Sequence, residues 1–104
     1  MSKPRDKWWG YVKDMVRAYP GRKGRVLHGI AANEFAAVQA AVEITERMEN
    51  GRDRLAVIDM VLWRQTHTLD GAALMIPCAE RTAVQWHGDF IREVAGKFEC
   101  KGLR

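Results

Sequence analysis

Residues 68–95 constrain the fold most strongly, because their pattern predicts two short helices joined by a tight turn. The first helix is predicted from about Leu69 to Ile76 and the second from about Ala79 to Ala95. Small or apolar residues occupy the positions where two crossing helices must approach closely: Ala72, Ala73, Ile76, Cys78, Ala83 and Trp86. This layout is typical of a helix-turn-helix, in which the second helix enters the major groove of DNA.

The turn of this motif contains a residue that the motif does not usually have. Pro77 stands where glycine commonly supplies a positive φ angle, which proline cannot adopt. The turn must therefore use another geometry, or Pro77 opens the second helix early. The same pattern is also compatible with two short helices that simply belong to a bundle.

Apolar periodicity predicts three further helices ahead of the motif. The first runs from Lys3 to Tyr19 and stops at Pro20, because proline disfavours helical geometry in the residue before it. The second, from Ala31 to Met48, is rich in alanine. The third, from Arg54 to about Gln65, is apolar nearly all round and is expected at the centre of the fold. No stretch alternates as a strand does, so the chain is predicted to be all-α with about five helices.

Residues at the predicted helix ends are suited to capping. Asp53 is expected to cap the third helix and Thr68 the fourth, since both side chains can accept from free backbone N–H groups. Gly96 is expected to end the fifth helix. The side chains of that helix predicted to face inward are Ala83, Trp86, Phe90, Ile91 and Val94.

Basic charge is concentrated near the N-terminus. The first 27 residues contain eight basic and two acidic residues, a net charge of +6, whereas residues 28–50 contain one basic and four acidic residues, or −3. The glycine-rich segment 20–29 includes Arg22, Lys23 and Arg25 and is predicted to be a mobile linker between an N-terminal helix, 1–19, and a helical core, 30–104. These cations either remain solvated or attract DNA phosphates.

Composition narrows the class of protein. With 104 residues, 47% hydrophobic and 29% charged, the chain suits one globular domain, and its formal charge of +4 favours an anionic partner. Two cysteines make no disulfide framework, and no apolar run predicts a signal peptide or a membrane span, so a cytoplasmic protein is expected. The sequence lacks CxxC, HExxH and P-loop patterns. We therefore expect no catalytic residues, no metal and no cofactor.

The outward residues at the start of the fifth helix are the candidate DNA contacts. Arg81 could bind guanine O6 and N7 together, and Gln85 could bind adenine or a phosphate. Glu80 could accept from cytosine N4 or help to cap the helix, and His87 could reach a phosphate or be half-buried. The full predicted contact set is Ala79, Glu80, Arg81, Val84, Gln85 and His87, with phosphate attraction from Arg22, Lys23 and Arg25.

The run from Arg54 to Ala95 resembles the ArpU/RinA-type phage transcriptional regulators, whose C-terminal helix-turn-helix looks like region 4 of sigma factors. The resemblance is carried by the apolar helix ending at Trp63, then Thr66–Leu69, Gly71–Ala73, Glu80–Thr82, Trp86–His87 and Asp89–Ile91. The first two predicted helices also resemble the N-terminal half of such proteins, so the likeness covers most of the chain.

The resemblance implies a regulator of late phage genes that binds double-stranded promoter DNA in the bacterial cytoplasm, with host RNA polymerase as a further partner. Such a regulator is expected to be a monomer or a homodimer. One alternative is a small DNA-recognition subunit for genome packaging, which predicts a ring-like oligomer. Another is a protein-binding adaptor acting on RNA polymerase, which predicts an exposed apolar patch involving Trp8, Trp9 or Tyr11.

Overall fold

The computed structural model describes residues 8–98, which form five α-helices and no strand. The helices are α1 (Trp8–Arg22), α2 (Gly29–Glu46), α3 (Gly51–Ile58), α4 (Leu69–Met75) and α5 (Glu80–Phe98). Helix α3 continues directly into a π-helical segment, Asp59–Trp63. The predicted all-α class with about five helices is confirmed. None of the described helices is long and apolar enough to cross a membrane.

The helices pack around two adjoining apolar clusters. Helix α5 contacts all four other helices, and every side chain predicted to face inward from it is buried. The prediction that the third helix lies at the centre is also confirmed, because Val57, Ile58 and Leu62 are fully buried. The larger cluster joins α1, α2, the end of α3, the π-helical segment and α5, and the smaller one joins α3, Met60 of the π-helical segment, α4 and α5.

The first helix does not stop at Pro20, as the sequence predicted, but continues to Arg22. Proline lacks the N–H group that would bond the carbonyl of Val16 one turn earlier. That carbonyl, on a fully buried residue, accepts instead from the indole N–H of Trp63 at 2.8 Å. A tertiary hydrogen bond therefore replaces the missing backbone bond, and the connection to α2 shortens to residues 23–28. The predicted start of this helix, residues 3–7, lies outside the described part of the chain.

Two other predicted boundaries differ for reasons of packing. Asp53 does not cap α3; it lies in the first turn, and Asn50 occupies the cap position with a φ of 62°. Gly51 is buried there, and a Cβ atom at this position would collide with the backbone carbonyl oxygen of Thr45, so only glycine fits at the start of α3. Helix α5 passes through Gly96 because burial of Phe98 outweighs the tendency of glycine to end a helix.

We expect Trp63→Phe to destabilise the protein by about 1–3 kcal/mol, because the buried carbonyl of Val16 then has no donor. Urea unfolding would measure this loss. In a Pro20→Ala background the new backbone N–H can bond that carbonyl, so the same Trp63→Phe substitution should cost less. Equal costs in both backgrounds would show that the indole does not replace the missing proline donor.

Candidate nucleic-acid interface

Helices α4 and α5 are joined by the turn Ile76–Ala79, which is longer than the two residues expected. The predicted cap of α4 is confirmed, since the Thr68 hydroxyl oxygen accepts from the Gly71 N–H at 3.1 Å. The turn contains no positive φ angle, and it closes through a bond from the Cys78 N–H to the carbonyl oxygen of Ala73 at 3.0 Å. Pro77 is thus accommodated by a geometry that does not need glycine.

The α4–turn–α5 segment is sealed by the residues that the sequence predicted. Four of the residues predicted to lie where the two helices approach each other are buried in the smaller cluster, together with Val57 and Met60 of the preceding segment. Ile76 and Cys78 pack at the edge of this cluster. The four are Ala72, Ala73, Ala83 and Trp86. Helix α5 is therefore fixed to α3 and α4 by its inner face. The helix-turn-helix itself remains a prediction that this contact pattern favours.

The start of α5 presents most of the predicted DNA contacts to solvent. Ala79, Glu80, Arg81, Val84 and Gln85 are all exposed. Gln85 and Arg81 lie one turn apart, so their side chains leave the helix on the same face. This exposed edge is the part of the chain that a groove could receive.

His87 does not belong to this exposed face. His87 is only 7% exposed, and the centroid of its ring lies 6.5 Å from the centroid of the Trp9 ring. The expected phosphate contact is therefore wrong, because the packing of α1 against α5 covers this position. The periodicity of α5 alone could not show which residue of α1 lies opposite.

Helix α4, the turn and the start of α5 together carry a net negative charge. Residues 69–85 contain Asp70 and Glu80 against Arg81, a net charge of −1. The Asp70 carboxyl, on the first turn of α4, forms a hydrogen bond with Glu80 and raises the pKa of Glu80 above its ordinary value. Arg81 is therefore the single basic residue of this segment.

The predicted basic linker is anchored at its first basic residue. The Arg22 guanidinium binds the Glu34 carboxylate at 2.7 Å, and the same carboxylate accepts from the Tyr11 hydroxyl. This hydrogen bond is the main reason that the pKa of Tyr11 rises to about 12. Lys23 lies over the ring of Tyr19 at 5.8 Å, and Arg25 is exposed. Arg22 is thus committed to an internal ion pair, whereas Arg25 faces solvent.

The two groups of predicted DNA contacts, one at the start of α5 and one in the basic segment, lie at opposite ends of α5. Tyr11, which shares Glu34 with Arg22, packs its ring against Phe98 at the end of α5, with centroids 5.8 Å apart. Arg81 lies at the start of this helix, which has 19 residues and is about 28 Å long. The structure does not bring the basic segment and the start of α5 together.

Sequence reasoning assigned no role to Leu74 and Met75, which are 82% and 63% exposed. They end α4 on the side away from the buried alanines, so helical periodicity could have identified them. The apolar patch that the adaptor alternative predicts near the N-terminus is found only in part. Trp8 and Tyr11 are exposed there, but Trp9 packs against the core.

A groove of about 310 Å³ lies beside the middle of α5, between the ends of α2 and α3. Its cations are already paired. Arg54 lies over the Trp86 ring at 5.6 Å and binds Asp89 at 3.5 Å, and Arg92 binds the same carboxylate at 3.1 Å. The two guanidinium groups share this one carboxylate, so Arg54, Arg92 and Asp89 together retain a net charge of +1. Within residues 8–98 no group of three or more His, Cys, Asp or Glu residues could hold a metal ion.

No family model matches the chain, and no match is found among curated proteins or solved structures. The resemblance to ArpU/RinA-type regulators therefore stays a prediction.

We expect Asp70→Asn to lower the pKa of Glu80 toward its ordinary value, since it removes the carboxyl–carboxyl hydrogen bond and then the neighbouring negative charge. Carbon-detected NMR titration of the Glu80 carboxyl would measure the shift. Because the folded-state pKa of Glu80 is raised, the pair favours folding at acidic pH and loses that advantage as pH rises through this pKa.

Asp53→Asn is the matched control, because it changes another aspartate in the first turn of a helix. This control should leave the titration of Glu80 unchanged. An unchanged pKa in Asp70→Asn would mean that the two carboxyl groups do not interact.

Proposed function

We propose that the protein binds duplex DNA through the start of α5. The observation that supports this most is the exposure of Arg81 and Gln85 on a helix whose inner face is held by Ala83 and Trp86. A helix fixed in this way and carrying polar residues at its leading edge can enter a major groove without rearrangement. Arg81 would then bind guanine, and Gln85 would bind adenine or a phosphate.

The acidic residues limit how strongly this surface attracts DNA. Asp70 and Glu80 oppose the approach of phosphates, so the attraction must come mainly from Arg81 and from the longer-range field of the basic chain. Lys23 and Arg25 contribute to that field from the other end of α5. We therefore propose binding in which base contacts contribute a larger share than phosphate contacts do.

The resemblance to ArpU/RinA-type proteins supports a regulatory task for this DNA binding. In this proposal the protein acts on promoters of late phage genes in the bacterial cytoplasm, with host RNA polymerase as a further partner. A DNA-recognition subunit for genome packaging is the second candidate. The observation that favours it is the separation of acidic and basic surfaces to opposite ends of α5, which suits a higher oligomer.

Duplexes selected from a random library by the purified protein would provide the site for a direct test. We expect Arg81→Ala to weaken binding to that site by about 1–3 kcal/mol, because a bidentate contact with guanine is lost. Fluorescence anisotropy with a labelled duplex would measure the change. Preference for guanine at one position of the site should relax in the same variant.

Arg92→Ala is the matched control, since it removes an exposed arginine that lies three turns further along the same helix and pairs with Asp89. This variant should bind almost as tightly as the wild type. Equal losses in both variants would indicate only a general electrostatic attraction. Failure of the library to yield any enriched duplex would end the proposal.

A further inference from the structure

The end of α4 carries an apolar surface that the proposed DNA contacts do not use. Leu74 and Met75 are adjacent and largely exposed, in a fold that buries apolar side chains in two clusters. Single exposed apolar residues are ordinary, but an adjacent pair at the projecting end of a helix is a candidate contact surface. We call this surface, with Asp70 and Glu80, the α4 tip.

The charges around the α4 tip are acidic. Asp70 lies one helical turn before Leu74, so the two side chains share one face of α4. The carboxyl of Glu80 interacts with that of Asp70 across the turn. Two neighbouring carboxyl groups repel when both are ionised, and a cation placed opposite them relieves that repulsion. The α4 tip therefore fits a partner that presents apolar and basic side chains together.

The segment between α1 and α2 presents those side chains. Lys23, Arg25 and Val26 lie in this segment and are exposed, and Ile30, the second residue of α2, is exposed as well; the exposed fractions of Val26 and Ile30 are 85% and 64%. We call Lys23, Arg25, Val26 and Ile30 the basic loop. Its apolar side chains can pack against those of the α4 tip. Its positive charges are opposite in sign to the carboxylates of the α4 tip.

The basic loop cannot reach the α4 tip of its own molecule. It follows Arg22, which is tied through Glu34 and Tyr11 to the C-terminal end of α5, whereas the α4 tip adjoins the N-terminal end of this helix. The two surfaces are thus separated by about the length of α5, roughly 28 Å. We propose that the basic loop of one copy docks on the α4 tip of a second copy.

This contact joins two different surfaces, so it is heterologous and leaves one free surface of each kind at the ends of a dimer. Further copies can add, and the assembly either closes into a ring or grows as a chain. Two apolar pairs and a few charges make a small interface, so association is expected to be weak and to depend on concentration. High salt should weaken it further, because exposed charges contribute.

Sedimentation velocity without DNA tests the docking independently of the proposed function. The wild type should form species larger than a dimer as its concentration rises. The tip variant Leu74→Ser/Met75→Ser and the loop variant Arg25→Ser/Val26→Ser should each associate at least about tenfold more weakly. Met48→Ser, which changes an exposed methionine that belongs to neither surface, is the matched control and should associate like the wild type.

A mixture of the two variants gives the decisive result. The loop variant retains an intact α4 tip and the tip variant retains an intact basic loop, so the mixture should form a dimer of one copy each and nothing larger. Circular dichroism would verify that both variants are folded, as expected for exposed positions.

Three outcomes would overturn the proposal. They are a wild type that stays monomeric at every concentration, a loop variant that associates like the wild type, and a mixture that forms no dimer. The second outcome would instead indicate a symmetric contact between two α4 tips. If the proposed DNA binding is also correct, a docked neighbour and a duplex compete for the start of α5, and added duplex should dissociate the assemblies.

Discussion

The packing of α1 against the rest of the fold depends on the position of Trp63. Its indole N–H binds the carbonyl of Val16 that Pro20 leaves without a backbone donor. Its ring stacks on Tyr19, with centroids 5.5 Å apart, and meets the edge of Phe90 at 6.3 Å. One residue at the end of the π-helical segment therefore ties α1 to α5. Aromatic contacts of this kind contribute beyond the area that they bury.

This central contact also determines what the candidate interface can be. Once α1, α2 and the π-helical segment hold the second half of α5, the first half of α5 is left to pack on α3 and α4 through Ala83 and Trp86. Polar residues at the start of α5 and apolar residues at the end of α4 then face solvent. The residues that a partner can contact are thus those on the face of α5 that the core does not bury.

Much of the fold could be predicted from helical periodicity and capping, because these depend on neighbours close in sequence. The buried face of α5 and the cap at Thr68 are examples. The predictions were wrong where a distant residue decides the outcome. Pro20 stays helical because of Trp63, and His87 is buried because Trp9 lies opposite. The separation of the basic loop from Arg81 likewise depends on how the helices are arranged in space, which local patterns do not encode.

The π-helical segment between α3 and the loop before α4 has a consequence for which changes of chain length the protein can accept. Its wider turn, closed by a bond from the Arg64 N–H to the Asp59 carbonyl oxygen, holds one residue more than an α-helical turn. Removing a single residue there would restore regular winding, and because the wide turn already holds one extra residue, the chain beyond would keep its orientation relative to α3. Trp63 would then still face Val16. A one-residue deletion is consequently easier to accommodate within 59–63 than in a regular α-helical turn, where it would rotate everything beyond by about 100°.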